Sequence, residues 1–113
     1  LFTFNEPSYT GLVFPSQKYY PSWIIEQSEP ACRSVVAAYR SLFHDEPKVQ
    51  PWMFSTNGVS IMGRYKIPCV GFGPGNVKYA HYPNEITNKN DLVRCCAMYA
   101  VIPSVYLKIL TEG

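Results

Sequence analysis

The chain has 113 residues, 47% of them apolar, 15% aromatic and 16% charged, with a formal net charge of +2 at pH 7. That length suits one domain rather than two, the composition is that of a folded chain rather than a disordered one, and burial of roughly 65% of the unfolded surface would give a core without staples. Lys and Arg are scattered, which argues against nucleic acid as a partner, and the uninterrupted apolar runs fall far short of the roughly 20 residues of a membrane-spanning helix, which argues against a membrane.

Residues 1–20 are rich in Phe, Tyr, Thr and Ser, with turn signals at Glu6-Pro7 and Thr10-Gly11, and predict short strands around a loop. The aromatic and β-branched stretch KYYPSWII predicts another strand from about Tyr20 to Glu26, with Pro21 confining it to an edge or to its own start. From Pro30 the period changes. Val35, Val36, Tyr39, Leu42 and Phe43 recur at helical spacing, and an amphipathic helix should run from Pro30 to a point before Pro47. His44 falls at the end of that helix, where a cation suits the dipole, and Asp45 with Glu46, and further on Asp91, read as solvated helix-end charges.

KVQPWMF is a short strand candidate, STNG a turn, and VSIMG a single helical turn closed by Gly63. IPCVGF, bounded by Pro and Gly, reads as a strand buried on both faces. A last helix, capped by Asn90 or Asp91, should carry an apolar stripe of Leu92, Cys95 or Cys96, Tyr99 and Ile102 and stop at Pro103. The alternation predicts an α/β fold with helices packed on a sheet.

Three polar features are candidate sites. In GFGPGNVKYAHYPNE, residues 71–85, the loop lacks the Lys-Ser or Lys-Thr of a phosphate-binding loop and opens no helix, which removes a nucleotide cradle. His81 follows a predicted strand in a loop, the place where α/β sheets bind ligands, and its imidazole could ligate zinc with Glu85 or a carbonyl orienting the ring. On residue types alone a hydrogen-bonded loop histidine is the simpler reading, because a zinc site needs three or four ligands. Ser55, Thr56 and Asn57, before Gly58, could hold a carboxylate or amide, or could be an ordinary hydrogen-bonded turn.

Cys32, Cys69, Cys95 and Cys96 show no C-x-x-C spacing and read as free thiols of a reducing compartment. With no basic segment leading into an apolar one, this suggests a cytoplasmic protein. The chain opens on Leu1 rather than a methionine, so either its start has been removed or it is a piece of something longer.

Taken together, WMFSTNG, IPCVGFGPG and AHYPNE resemble, in order and separation, the C-terminal part of the di-zinc amidohydrolase and exopeptidase family. That family includes acetylornithine deacetylase, succinyl-diaminopimelate desuccinylase and glutamate carboxypeptidases. The patterns are most similar to a bacterial subgroup of hydrolases linked to selenium metabolism, and PSYTG with the stretch from Tyr19 to Phe43 extends the likeness over nearly the whole chain.

The resemblance implies that residues 1–20 end an inserted lid (dimerisation) domain, through which a homodimer could form. Residues 21–113 would be the C-terminal portion of a mixed-sheet catalytic domain. It implies that His81 ligates one of two zinc ions, that Ser55, Thr56, Asn57 and Gly73 lie by the substrate, and that Glu85 stands behind the ligand. The two metals would activate a water that attacks the amide carbonyl of a peptide or N-acyl amino acid.

The other ligands and the general base of the family belong to an N-terminal half not represented here, so the chain alone should be inactive. A non-catalytic binding or assembly module that keeps the C-terminal half of the fold is the alternative. Two positions depart from the family pattern: Lys66, where glycine usually precedes Ile67-Pro68, and Tyr82, where a small or hydroxyl residue is common.

Overall fold

A computed structural model describes residues 2–112; Leu1 and Gly113, the outer ends of the two expected segments, lie outside the described residues. Phe2–Phe4 (β1) and Ser16–Lys18 (β2) form a two-stranded antiparallel sheet in the register Phe2 with Lys18, Thr3 with Gln17 and Phe4 with Ser16. Pro7 and Val13 bridge further along the hairpin, and its turn is closed by the Ser8 N–H on the Leu12 carbonyl and the Gly11 N–H on that of Ser8. Gly11 sits at φ +80°, where a residue without Cβ is the least strained choice. The short strands agree with the expectation for residues 1–20, and the hairpin packs against neither helix.

Helix α1 spans Pro30–Phe43. Proline suits the first helical position, where its missing N–H would have had no partner. The helix ends as predicted, with His44 in the left-handed conformation at φ +52° and its N–H on the Arg40 carbonyl. Arg40 is then held by both carboxylate oxygens of Glu46 at 2.9–3.0 Å, so Glu46 is a paired rather than a merely solvated charge. The face that α1 buries is centred on Cys32, Ser34 and Ala38, while the predicted stripe of Val35, Val36, Tyr39, Leu42 and Phe43 is half-buried around it. Small side chains allow α2 to approach closely, and the buried Ser34 hydroxyl is satisfied by the Ala31 carbonyl at 2.8 Å.

Helix α2 spans Lys89–Glu112 and packs on α1 through Cys95 and Met98. Its cap is Asn88, not Asn90 or Asp91: the Asn88 Oδ1 accepts from the Asn90 N–H at 2.9 Å and its carbonyl from Asp91 and Leu92. Nor does α2 stop at Pro103, which lies inside it. Proline costs one backbone hydrogen bond, to the Tyr99 carbonyl, but Val105, Tyr106 and Ile109 beyond it are half-buried and continue the packed face. The expected stripe therefore splits. Cys95 is buried and Ile102 half-buried, whereas Leu92, Cys96 and Tyr99 are exposed on a second apolar face. Counting uninterrupted apolar runs understated this helix, which is long and apolar enough, by length and composition, to cross a membrane.

The remaining strand candidates form no strands. Residues 20–26, 48–54 and 67–72 are irregular, and Ile67 and Pro68, expected to be buried on both faces, are exposed. An extended segment becomes a strand only when a neighbour takes up its N–H and C=O groups, and among the described residues only β1 and β2 find each other. Val59–Arg64 forms a π-helical turn, with the Tyr65 N–H reaching the Ser60 carbonyl, so the predicted turn runs one residue past Gly63.

The result is a small, helix-rich α/β piece. Its radius of gyration is 17.8 Å, against about 13 Å for a compact chain of this length. Its accessible surface is 9183 Å², against roughly 6,300 Å² for a self-contained protein of this mass. The fully formed core expected from length alone is absent: Cys32, Ala38, Cys95 and Met98 are its buried apolar residues among those described.

Candidate functional site

The three sequence motifs meet in the structure through aromatic side chains. Trp52 lies over Gly71, so closely that a methyl group placed on that glycine would come within 3.1 Å of the indole. Two residues on, the Phe54 ring stands edge-on to the His81 imidazole, with centroids 6.4 Å apart and planes at 74°. WMFSTNG thus touches both GFGPG and AHYPNE. Its turn is anchored from behind, because Gly58 is buried against the Trp23 indole and Gly63 against Pro21.

Thr56 and Asn57 serve that turn directly. The Thr56 Oγ1 accepts from the Gly58 N–H at 3.1 Å, and the Thr56 and Asn57 carbonyls accept from Val59, Ser60 and Ile61 to start the π-helical turn. The turn reading therefore holds for these atoms, while the side chains of Ser55 and Asn57 are exposed toward solvent.

His81 is carried by a short 3-10 turn, Val77–Tyr79, started by Asn76, whose side chain accepts from the Lys78 N–H at 2.9 Å. His81 has φ +64° and Asn84 φ +62°, two non-glycine residues in the left-handed region within one loop. The His81 N–H donates to the Glu85 Oε2 at 3.1 Å, and the Glu85 N–H in turn donates to the Tyr82 carbonyl at 3.1 Å. The His81 residue is exposed, and among the described residues no hydrogen bond reaches either ring nitrogen. Glu85 thus meets the main chain of His81, not its ring.

Gly73 sits apart from these groups. It lines a cleft of about 430 Å³ between α1, the GFGPG loop and the start of α2, whose wall includes Tyr39, Phe43, Asn88, Asp91 and Arg94 but not Ser55, Thr56, Asn57 or His81. The Arg94 guanidinium lies 3.8 Å from the Phe43 ring centroid and donates to the Tyr39 hydroxyl at 3.2 Å. The Tyr99 hydroxyl donates to the Phe72 carbonyl at 2.7 Å and fixes the loop on α2. Burial pushes the Cys95 thiol up in pKa, Asp91 and Cys96 add to that, and Arg94 opposes it. Sequence reasoning overlooked Arg94, and took Asp91 for a solvated charge where it is half-buried; their spacing of three on a helix start was the available signal.

Lys66 has φ +59°. Glycine is the residue that adopts this conformation without cost, which gives a physical reason for its being usual before Ile67-Pro68. Lys66 compensates in part by donating its Nζ to the Gly63 carbonyl at 3.0 Å.

Among the described residues no three His, Cys, Asp or Glu side chains gather as a metal site would require. The donor set offered by this chain is one exposed imidazole, which fits a single corner of a metal site and not the whole of one.

The description of peptidase family M20/M25/M40 matches residues 13–103, and the chain belongs to that family. That family is a class of peptidases that is generally metal-dependent. The chain is 50% identical over 107 residues to the uncharacterized protein YgeY of Escherichia coli, both in strain K12 and in O157:H7. The match takes in 95% of this chain but 27% of each relative, so the chain spans about a quarter of the length of the proteins it resembles. No solved structure matches it.

Proposed function

We propose that this chain is the C-terminal part of the catalytic domain of a cytoplasmic, zinc-dependent hydrolase that cleaves the amide bond of a small peptide or N-acyl amino acid. The reading extends to the subgroup linked to selenium metabolism that its motifs resemble. The observation that carries it is that WMFSTNG touches both other motifs, with Trp52 on Gly71 and Phe54 on the His81 imidazole. His81 contributes one ligand to a pair of zinc ions, whose chemistry is to activate water and polarise the scissile carbonyl. Ser55 and Asn57, exposed next to Phe54, contact the substrate, and the turn of Thr56 and Gly58 holds them in place. Gly73 leaves space beside the Tyr99 hydroxyl, which an added methyl group would approach to 3.8 Å.

The general base and the other ligands come from the rest of the polypeptide. Two features support that division. The surface exceeds that of a self-contained protein by a wide margin. Residues 20–26, 48–54 and 67–72 carry strand-like sequences without strand partners, as edges of a mixed sheet would when the other strands are elsewhere. The hairpin ends a lid domain, through which the protein forms a homodimer.

The test compares the full-length protein with the 113-residue chain on a panel of dipeptides and N-acetyl or N-succinyl amino acids, with and without Zn²⁺. Zinc-dependent turnover by the full-length protein and none by the segment is the expected result. Turnover unaffected by chelation, or turnover by the segment alone, would overturn it.

A further inference from the structure

We propose that Glu85 is the positioning residue of His81 and that it acts through the main chain: its carboxylate, on the His81 N–H, holds the backbone that aims the imidazole. This rests on the reading of His81 as a metal ligand, and concerns how the ligand is held rather than whether it is one.

His81 needs such a hold. At φ +64° it occupies a region that residues bearing a Cβ enter only at a cost, and Asn84, of a type that tolerates it better, enters it at φ +62° three residues later. The loop is exposed, so little packing opposes its relaxation to an ordinary conformation. What closes it is a pair of hydrogen bonds that cross it. The Glu85 Oε2 accepts from the His81 N–H at 3.1 Å, and the Glu85 N–H donates to the Tyr82 carbonyl at 3.1 Å. One residue thus fastens both sides of the turn, with Pro83 stiffening the middle. Phe54, edge-on to the imidazole, limits the ring itself. Release of the N–H would let His81 rotate about its backbone and carry the ring away from a fixed metal position.

The mechanism makes a specific distinction. A carboxylate that ligated the metal or bonded an imidazole N–H would act through its charge. A carboxylate that caps a backbone N–H needs only an acceptor oxygen at the right reach, which a glutamine amide also supplies.

The test is Co²⁺ titration of the full-length protein, followed by the visible d–d absorption of the bound ion, in the parent protein, Glu85→Ala, Glu85→Gln and His81→Ala. Loss of one Co²⁺ position in H81A establishes the ligand. Against that, E85A should weaken Co²⁺ at the same position by roughly 10–100-fold, as loss of an orienting partner does. E85Q should restore most of that affinity and the parent absorption band. An E85Q as weak as E85A, or an E85A equal to the parent, overturns the role assigned to Glu85 while leaving His81 a ligand. Should E85A fail to fold, as judged by circular dichroism, E85Q decides alone, since near-parent affinity is required of it. Full Co²⁺ binding in H81A removes the metal reading itself.

Discussion

Replacing Gly58 by alanine probes how the WMFSTNG turn is held. Gly58 has ordinary helical dihedrals, φ −54° and ψ −27°, so alanine is not excluded by its backbone and would by itself favour a helical residue by about 1 kcal/mol. The added methyl group, however, would stand 2.5 Å from Trp23 Cζ2 and 3.0 Å from both Trp23 Cε2 and Thr56 Oγ1. An ordinary carbon contact is about 3.5–4 Å, so the indole must retreat by about 1 Å. Overpacking of that kind costs about 1–3 kcal/mol, and after the gain in propensity the net loss should be about 0–2 kcal/mol. Urea unfolding of the full-length protein, followed by circular dichroism, measures the loss directly. In a Trp23→Ala background both indole contacts are gone and only the tight contact to Thr56 Oγ1 remains, so G58A should cost clearly less there. Equal destabilisation in both backgrounds would refute the steric reasoning.

Four further outcomes follow from the geometry. His44→Gly should stabilise α1 by roughly 0.5–1 kcal/mol, because His44 holds φ +52° without the freedom glycine has there, a gain visible as a higher Tm. Glu46→Gln should change stability little, and less still in high salt, since both partners of the bidentate Arg40 pair are exposed. The Cys95 thiol is held protonated above its ordinary value by burial first and by Asp91 and Cys96 next. Its contribution is therefore complete below the pKa of an unfolded thiol, about 8.5, and is lost as pH rises through the higher folded value. Titration of stability from neutral to alkaline pH should show that decline, and Cys95→Ala should remove its thiol-dependent part. Thiol labelling at neutral pH should modify exposed Cys96 before buried Cys32 and Cys95.

What was legible in the sequence divides by how local its cause is. Helix α1 was placed from its start to its end because proline at the first position and the periodic apolar residues act within a few turns. The hairpin was legible for the same reason. The cap of α2 was misplaced because Asn88, Asn90 and Asp91 can all accept from a backbone N–H, and only the chain's path decides among them. Pro103 was misread as a stop because the packing of Val105, Tyr106 and Ile109 beyond it outweighs the bond it forfeits.

The missed strands have another cause. Residues 20–26, 48–54 and 67–72 have strand composition, but strands are made by partners, and the described residues supply none. At the site, the sequence singled out His81, Glu85 and the STNG turn but gave no sign that Trp52 and Phe54 join the motifs, or that Glu85 bonds the main chain. Those are contacts across sequence separations that no local pattern encodes. Gly73 was grouped with the turn by motif, whereas the structure sets it in the cleft between the helices.

The most direct test of the central claim is anomalous diffraction at the zinc edge from crystals of the full-length protein. Two peaks roughly 3.5–4 Å apart, one of them about 2.0–2.1 Å from an imidazole nitrogen of His81, are the predicted result. Zinc bound elsewhere, with the His81 ring free of metal, would contradict it.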